Sequence, residues 1–305
     1  MADEERKQFA LEELASVFEA LERLGHPCVL IGGQCVCYWA RRYLSTEPAL
    51  QEIAQATPLL SKDVDFHGQR QAVIALARAF GTRAQVPSFR EAFGNLLAGK
   101  FSVWIGKDCL SVEVLWEVPG LAKSEVAKLS TIDAFGPTAV QLLNPIGIML
   151  AKAWNVAHIR KAGRRDAEQL LLTTASVRAF LRSLLEGAGA DRPALRAALR
   201  FLEHAIAFTE LPTARKAAGR CGVDWSQILP HRFIAASEQP ELVLLREQRV
   251  PRWLRRVAPY KRPVPENPTL RRLLDILAAH AEPLCAQPVP PGRKSKSQNQ
   301  RSPSP

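Results

Sequence analysis

Residues 26–37 read HPCVLIGGQCVC, a short apolar run broken by two glycines, after which QCVCYWARRYL resumes at helical spacing. An apolar run of this length bounded by turn residues predicts a buried strand. Gly32 and Gly33 then predict a tight strand-to-helix turn, with free backbone N–H groups at the positive end of a helix. A turn of that kind receives phosphate groups well. Neither a G-x-G-x-x-G run nor a P-loop spacing accompanies it, so neither of those nucleotide folds is supported.

The pattern around this unit sets the fold class. Residues 5–24 carry apolar positions at helical spacing and stop at Gly25. KDVDFHG alternates as a strand, QRQAVIALARAFG is a helix closed by Gly81, and KFSVWIGKDCLSVEVLWEV reads as two strands joined at Gly-Lys-Asp. Residues 45–60 form an insertion with a short helix. Beyond about Thr131 the character becomes helical, through PIGIMLAKAWNVAHIRKAG to TLRRLLDILAAHAE. The expectation is an α+β protein: a small mixed β-sheet domain flanked by helices over residues 1–135, an all-helical domain over 136–285, and a disordered basic tail over 286–305. A chain of 305 residues is long enough for two cores.

Composition excludes several classes. No apolar run approaches the roughly 20 residues that span a bilayer. The acidic start MADEERKQFALEEL lacks an apolar signal core, which together with scattered cysteines in apolar surroundings predicts a reduced, cytoplasmic setting. The net charge of +11 favours polyanionic partners, nucleotides and RNA above all.

Asp63 and Asp65 stand two apart on a predicted strand, so both carboxylates project from one face while Val64 and Phe66 point into the core. Glu113 sits between Val112 and Val114 on a neighbouring predicted strand, a costly place for an acid that serves no purpose. Glu117 shares its parity but lies nearer the strand end. Three carboxylates from two strands suit Mg²⁺, which takes oxygen ligands and leaves positions for substrate phosphates. An isolated Asp-x-Asp reads first as a half-exposed, solvated strand; the upstream glycines and Glu113 change that balance.

This order of Gly-Gly, helix, Asp-Val-Asp and a later strand acid resembles the DNA polymerase β-like nucleotidyltransferase superfamily. Within it, the chain is most similar to the AbiEii-type toxin nucleotidyltransferases and their relatives, over roughly residues 20–175. LNPIGIMLAKAWNVAHIRKAGRRDAEQL continues the likeness, with Lys152 matching a helical lysine and Arg165-Asp166 a later pair. The resemblance implies Mg²⁺-dependent transfer of NMP from an NTP, ATP among them, to an acceptor hydroxyl. Asp63, Asp65 and Glu113 would be catalytic and hold the metal. Gly32, Gly33, Gln34, Lys152, Arg165 and Asp166 would bind the nucleotide, Gln34 standing where many members have serine. Implied partners are tRNA or other RNA, or a protein side chain, with a neutralising antitoxin. Two rivals remain: a nucleotide or nucleic-acid binder that has lost turnover, and an antibiotic-type enzyme acting on a small molecule.

One geometric condition follows. On an unbroken helix Lys152 and Asp166 would lie about 21 Å apart. They share a site only if the chain breaks, and Gly163 is the expected stop. The remaining features carry blander expectations. Cys28, Cys35 and Cys37 lack a Cys-x-x-Cys pairing that would suit zinc. His67 reads as a strand-end surface residue, and Trp104 and Trp154 as core aromatics. Residues 245–262, LREQRVPRWLRRVAPYKR, offer basic side chains with Trp253 and Tyr260 interleaved, a pattern that fits either a nucleic-acid backbone site with stacking platforms or a solvated loop.

Overall fold

A computed structural model of the chain describes residues 7–25, 28–92, 95–159, 164–260 and 263–286. Six strands form one mixed sheet: β1 (Cys28–Ile31), β2 (Asp63–Gly68), β3 (Leu97–Ile105), β4 (Asp108–Leu115), β5 (Ser130–Phe135) and β6 (Thr138–Leu143), in the order β3-β4-β2-β1-β6-β5. β2 runs parallel to β4 and β1 parallel to β6, and the remaining neighbours are antiparallel. All four residues of β1 are buried, as its unbroken apolar run requires of a strand covered on both faces. The fold is α+β.

Helices surround the sheet and then replace it. In the first part these are α1 (Ala15–Arg23), α2 (Gly32–Arg42), α3 (Pro48–Ala56), α4 (Arg70–Ala79), α5 (Phe89–Ala92) and α6 (Lys123–Leu129). The second part holds α7 (Pro145–His158), α8 (Asp166–Ala188), α9 (Arg192–Thr209), α10 (Pro212–Cys221), α11 (His231–Ala236), α12 (Pro240–Leu244), α13 (Val250–Val257) and α14 (Pro268–Ala279). α7 starts where Asn144 caps it, its side chain accepting from the Gly147 N–H, with Pro145 in the first turn where a missing N–H costs nothing. Every residue of α7 from Pro145 to Ala153 is buried, so this helix is the joint between sheet and helices. α7 and α2 both pack on α8.

Three expectations change. The shift to helices expected near Thr131, and the domain boundary at 135, fall inside the β5–β6 hairpin, whose β6 pairs with β1; the sheet runs on to Leu143. β5 is an edge strand with Ile132 on the outside and Asp133 paired to Arg42, so its sequence lacks the alternation that marks a half-buried strand. Trp104 is no core residue: it is 67% exposed on the outer face of β3. Trp253 and Tyr260 are no stacking platforms: both are buried, the indole donating to Thr209 Oγ1 and the phenol to the Thr209 carbonyl. Arg249 and Arg256 of the same segment are paired with Glu203 and Glu210.

The insertion is structural in part. α3 packs on α8 and α14, and Glu47, just before it, forms a buried ion pair with Arg178 of α8. Gly163 and the tail from residue 287 lie outside the described residues. Among the described residues no helix is long and apolar enough to cross a membrane.

Candidate functional site

The glycine turn exists, and close neighbours crowd both glycines, Asp65 at Gly32 and Ser61 with Gln169 at Gly33. Ile31, the last residue of β1, pairs with Asp65 on β2, so the turn into α2 lies against that carboxylate. Gly32 holds φ +69°, a conformation L side chains rarely adopt. A Cβ there would run into the Asp65 carboxylate, 2.8 Å from its Cβ and Cγ, and one on Gly33 would meet Gln169 Nε2 at 2.8 Å. The backbone of the turn and the side chain of Asp65 are thus in direct contact.

Asp65 also faces Glu113 in register across the parallel β2–β4 pair, which puts their backbones about 4.8 Å apart with both side chains on one face. Asp63 is exposed one step up the same face and accepts from Ser61 Oγ at 3.4 Å. Burial first, then the charges of Asp63 and Glu113, push the Asp65 carboxyl up to about 7, against the opposing pull of Lys152 and Arg164. Crowded carboxylates of this kind accept a proton readily, or a cation instead.

The opposite wall comes from α7 and the start of α8. Lys152 is buried and places Nζ 3.0 Å from Asp166 Oδ1; Asn155, one turn further along α7, donates its amide to the same oxygen at 3.2 Å. Arg164 holds the other oxygen through Nε at 2.5 Å. Burial raises the Asp166 carboxyl, but Lys152 and Arg164 outweigh it and hold it at about 2. α7 ends at His158 and α8 begins at Asp166, so the required break is present. Arg165 binds Glu168 Oε2 at 2.7 Å and donates to Gln8 Oε1 and the Leu60 carbonyl.

These groups, Glu168 apart, line one cleft of about 420 Å³, which holds Gly32, Gly33, Asp63, Asp65, Glu113, Lys152, Arg165 and Asp166. Gln34 is the exception among the expected binders. It is fully buried outside the lining, its amide donating to the Phe9 carbonyl at 3.0 Å, because the first turn of α2 directs it at the N-terminal segment. Sequence reasoning missed Asn155, Arg164, Gln169, Ser61 and Gln8, which also line the cleft. Helical spacing held the signal for two of them, since Asn155 follows Lys152 by three residues and Gln169 follows Asp166 by three.

The donor chemistry of Asp63, Asp65 and Glu113 fits a hard divalent cation, whose charge would offset the crowding of the three carboxylates. The set is open, not a cage: among the described residues no group of three or more His, Cys, Asp or Glu is arranged to hold a metal ion. Magnesium commonly binds through one or two carboxylates and substrate phosphates, which an open set allows. Zinc is not favoured. Cys28, Cys35 and Cys37 are buried outside the cleft lining, and burial pushes their thiols up, Cys28 to about 12 and Cys37 to about 11. His67 is half-buried and also outside the lining.

No family model and no curated protein matches the chain. Among solved structures, it is similar to the crystal structure of an antigenic nucleotidyltransferase-like protein from Paracoccidioides brasiliensis, at 15% identity and a TM-score of 0.38, over 64% of this chain and 95% of that one.

Proposed function

We propose that the chain is a Mg²⁺-dependent nucleotidyltransferase that moves NMP from an NTP to an acceptor hydroxyl. The observation that carries this is the contact between the Gly32-Gly33 turn and Asp65, itself in register with Glu113, in one cleft with Lys152 and Arg164. The turn and the start of α2 offer backbone N–H groups to phosphate oxygens. Lys152 and Arg164 add positive charge on the facing wall, and Arg165 borders the same space. Asp63, Asp65 and Glu113 would hold the metal, which when bound neutralises charge on the triphosphate. The acceptor oxygen forms a bond to the α-phosphorus, the bond to the β-phosphate oxygen breaks, and pyrophosphate and the hydroxyl proton leave. Positioning and charge neutralisation supply the rate.

The resemblance adds a toxin-like role against RNA or protein, with an antitoxin as partner. One rival draws on an observation: a nucleotide binder without turnover accords with the open carboxylate set. Incubation with each α-³²P NTP, Mg²⁺ and total RNA separates the two. Label in the RNA that Asp63→Ala abolishes supports transfer; Mg²⁺-dependent NTP binding with no label in any acceptor overturns it in favour of the binder.

A further inference from the structure

The sheet face that carries the carboxylates does not end at Glu113. Lys100 of β3 pairs with Glu113, Ser102 with Ser111, and Trp104 with Cys109. Paired residues share a face, so Asp63 and Asp65 on β2, Ser111 and Glu113 on β4, and Lys100, Ser102 and Trp104 on β3 form one surface. Alternate residues of β3, Phe101 and Val103, are buried on the other side. At β1 this face lies under helices, as the burial of Ile31 shows. At β3 it is open: Lys100, Ser102, Trp104 and Cys109 are all exposed. The cleft therefore continues into a shelf.

The shelf has the chemistry of a strand-binding platform. An indole two-thirds in water, on the face that also carries the carboxylates, offers a surface on which a base can stack. Lys107 in the hairpin turn and Lys100, four residues back along β3 and so about 13 Å from Trp104, are exposed, with no ion-pair partner among the described residues. Two strand spacings and two residues of rise put Trp104 about 12 Å from Asp63, within reach of the terminal nucleotides of one strand. Aromatic stacking with basic neighbours binds single strands with little regard to sequence. A net charge of +11 adds long-range attraction for a polyanion.

We propose that this β3–β4 shelf binds a single-stranded polynucleotide, its bases stacked on Trp104 and its backbone at Lys100, and delivers the strand's end to the carboxylates as the acceptor. The acceptor role rests on the transferase reading above; the binding does not. Affinity for a fluorescein-labelled 12-nucleotide single-stranded RNA, by anisotropy at fixed salt, tests it. Trp104→Ala is expected to weaken binding about tenfold or more, and Lys100→Ala several-fold, with a shallower salt slope. Trp104→Phe keeps most of the affinity, and Ile132→Ala, on the far edge of the sheet, changes nothing. Unlabelled single-stranded RNA competes and a duplex of the same sequence does not. Wild-type affinity in Trp104→Ala, equal competition by the duplex, or no binding at all overturns the shelf. Affinity for each Mg–NTP is measured on the same wild-type sample: Trp104-dependent RNA binding with no binding of any NTP overturns the acceptor role and the transferase reading together, while nucleotide binding without Trp104-dependent RNA binding overturns the shelf alone.

Discussion

Lys152 Nζ stands 3.0 Å from Asp166 Oδ1, although fourteen residues of chain, helical at both ends, separate them. α7 ends at His158 and α8 starts at Asp166, and the two helices meet at one wall of the cleft. Both side chains are nearly out of water, so neither charge is tolerated alone. Asp166→Asn, which strands the buried Lys152 ammonium, is expected to cost about 3–5 kcal/mol in denaturant-unfolding experiments, and Lys152→Met less, because Arg164 still pairs with Asp166. The double variant recovers most of it. Equal losses in the single and double variants would show that packing, not charge, holds the two helices together.

The same pair gives an acid signature. Asp166 is held at about 2 against an ordinary 3.8, so its contribution is present above about pH 4 and is lost as pH falls towards 2. Urea midpoints of wild type and Asp166→Asn therefore converge over that window. Parallel curves from pH 5 to pH 2 contradict the assignment.

Asp65 works in the other direction. With its carboxyl raised to about 7, the folded protein holds a proton that the unfolded chain releases above about pH 4. Stability from this group is full below pH 4 and declines as pH rises through 7. Asp65→Asn removes the decline. Magnesium relieves it too, so added Mg²⁺ should raise the melting temperature more at pH 8 than at pH 5, with proton release on binding that calorimetry in two buffers can detect. A metal effect independent of pH would place the cation elsewhere.

How much of this was legible in the sequence follows from the range of each interaction. The strand-turn-helix at Gly32, the face shared by Asp63 and Asp65, and the break before Asp166 are local, and local patterns report them. The register of Glu113 with Asp65 follows from two strands being neighbours, which alternation suggested and pairing fixes. The β5–β6 hairpin was hidden because its place is set by β1, far away in the chain. Exposure was the least legible property: Trp104 and Trp253 look alike as letters, and only the edge position of β3 and the packing around Thr209 separate them. Gln34 failed as a ligand for a similar reason, since its partner is the Phe9 carbonyl.

Gly32→Ala probes the turn itself. The new Cβ meets Asp65 and the backbone is held at φ +69°, so the variant is expected to lose nucleotide binding at least tenfold and about 1–2 kcal/mol of stability. Gly81, also at positive φ but with nothing within 4 Å of an added Cβ, is the control: Gly81→Ala shares the stability loss and leaves nucleotide affinity alone. Nucleotide titrations of both variants check the difference.

The most direct test of the central claim is single-turnover transfer of α-³²P from NTP, with pyrophosphate measured in the same reaction, for wild type and Asp65→Asn. The account predicts one pyrophosphate per labelled acceptor in the wild type, and loss of both signals in a variant that remains folded. Undiminished transfer in Asp65→Asn, or nucleotide bound by the wild type without pyrophosphate in the presence of every acceptor class, would contradict it.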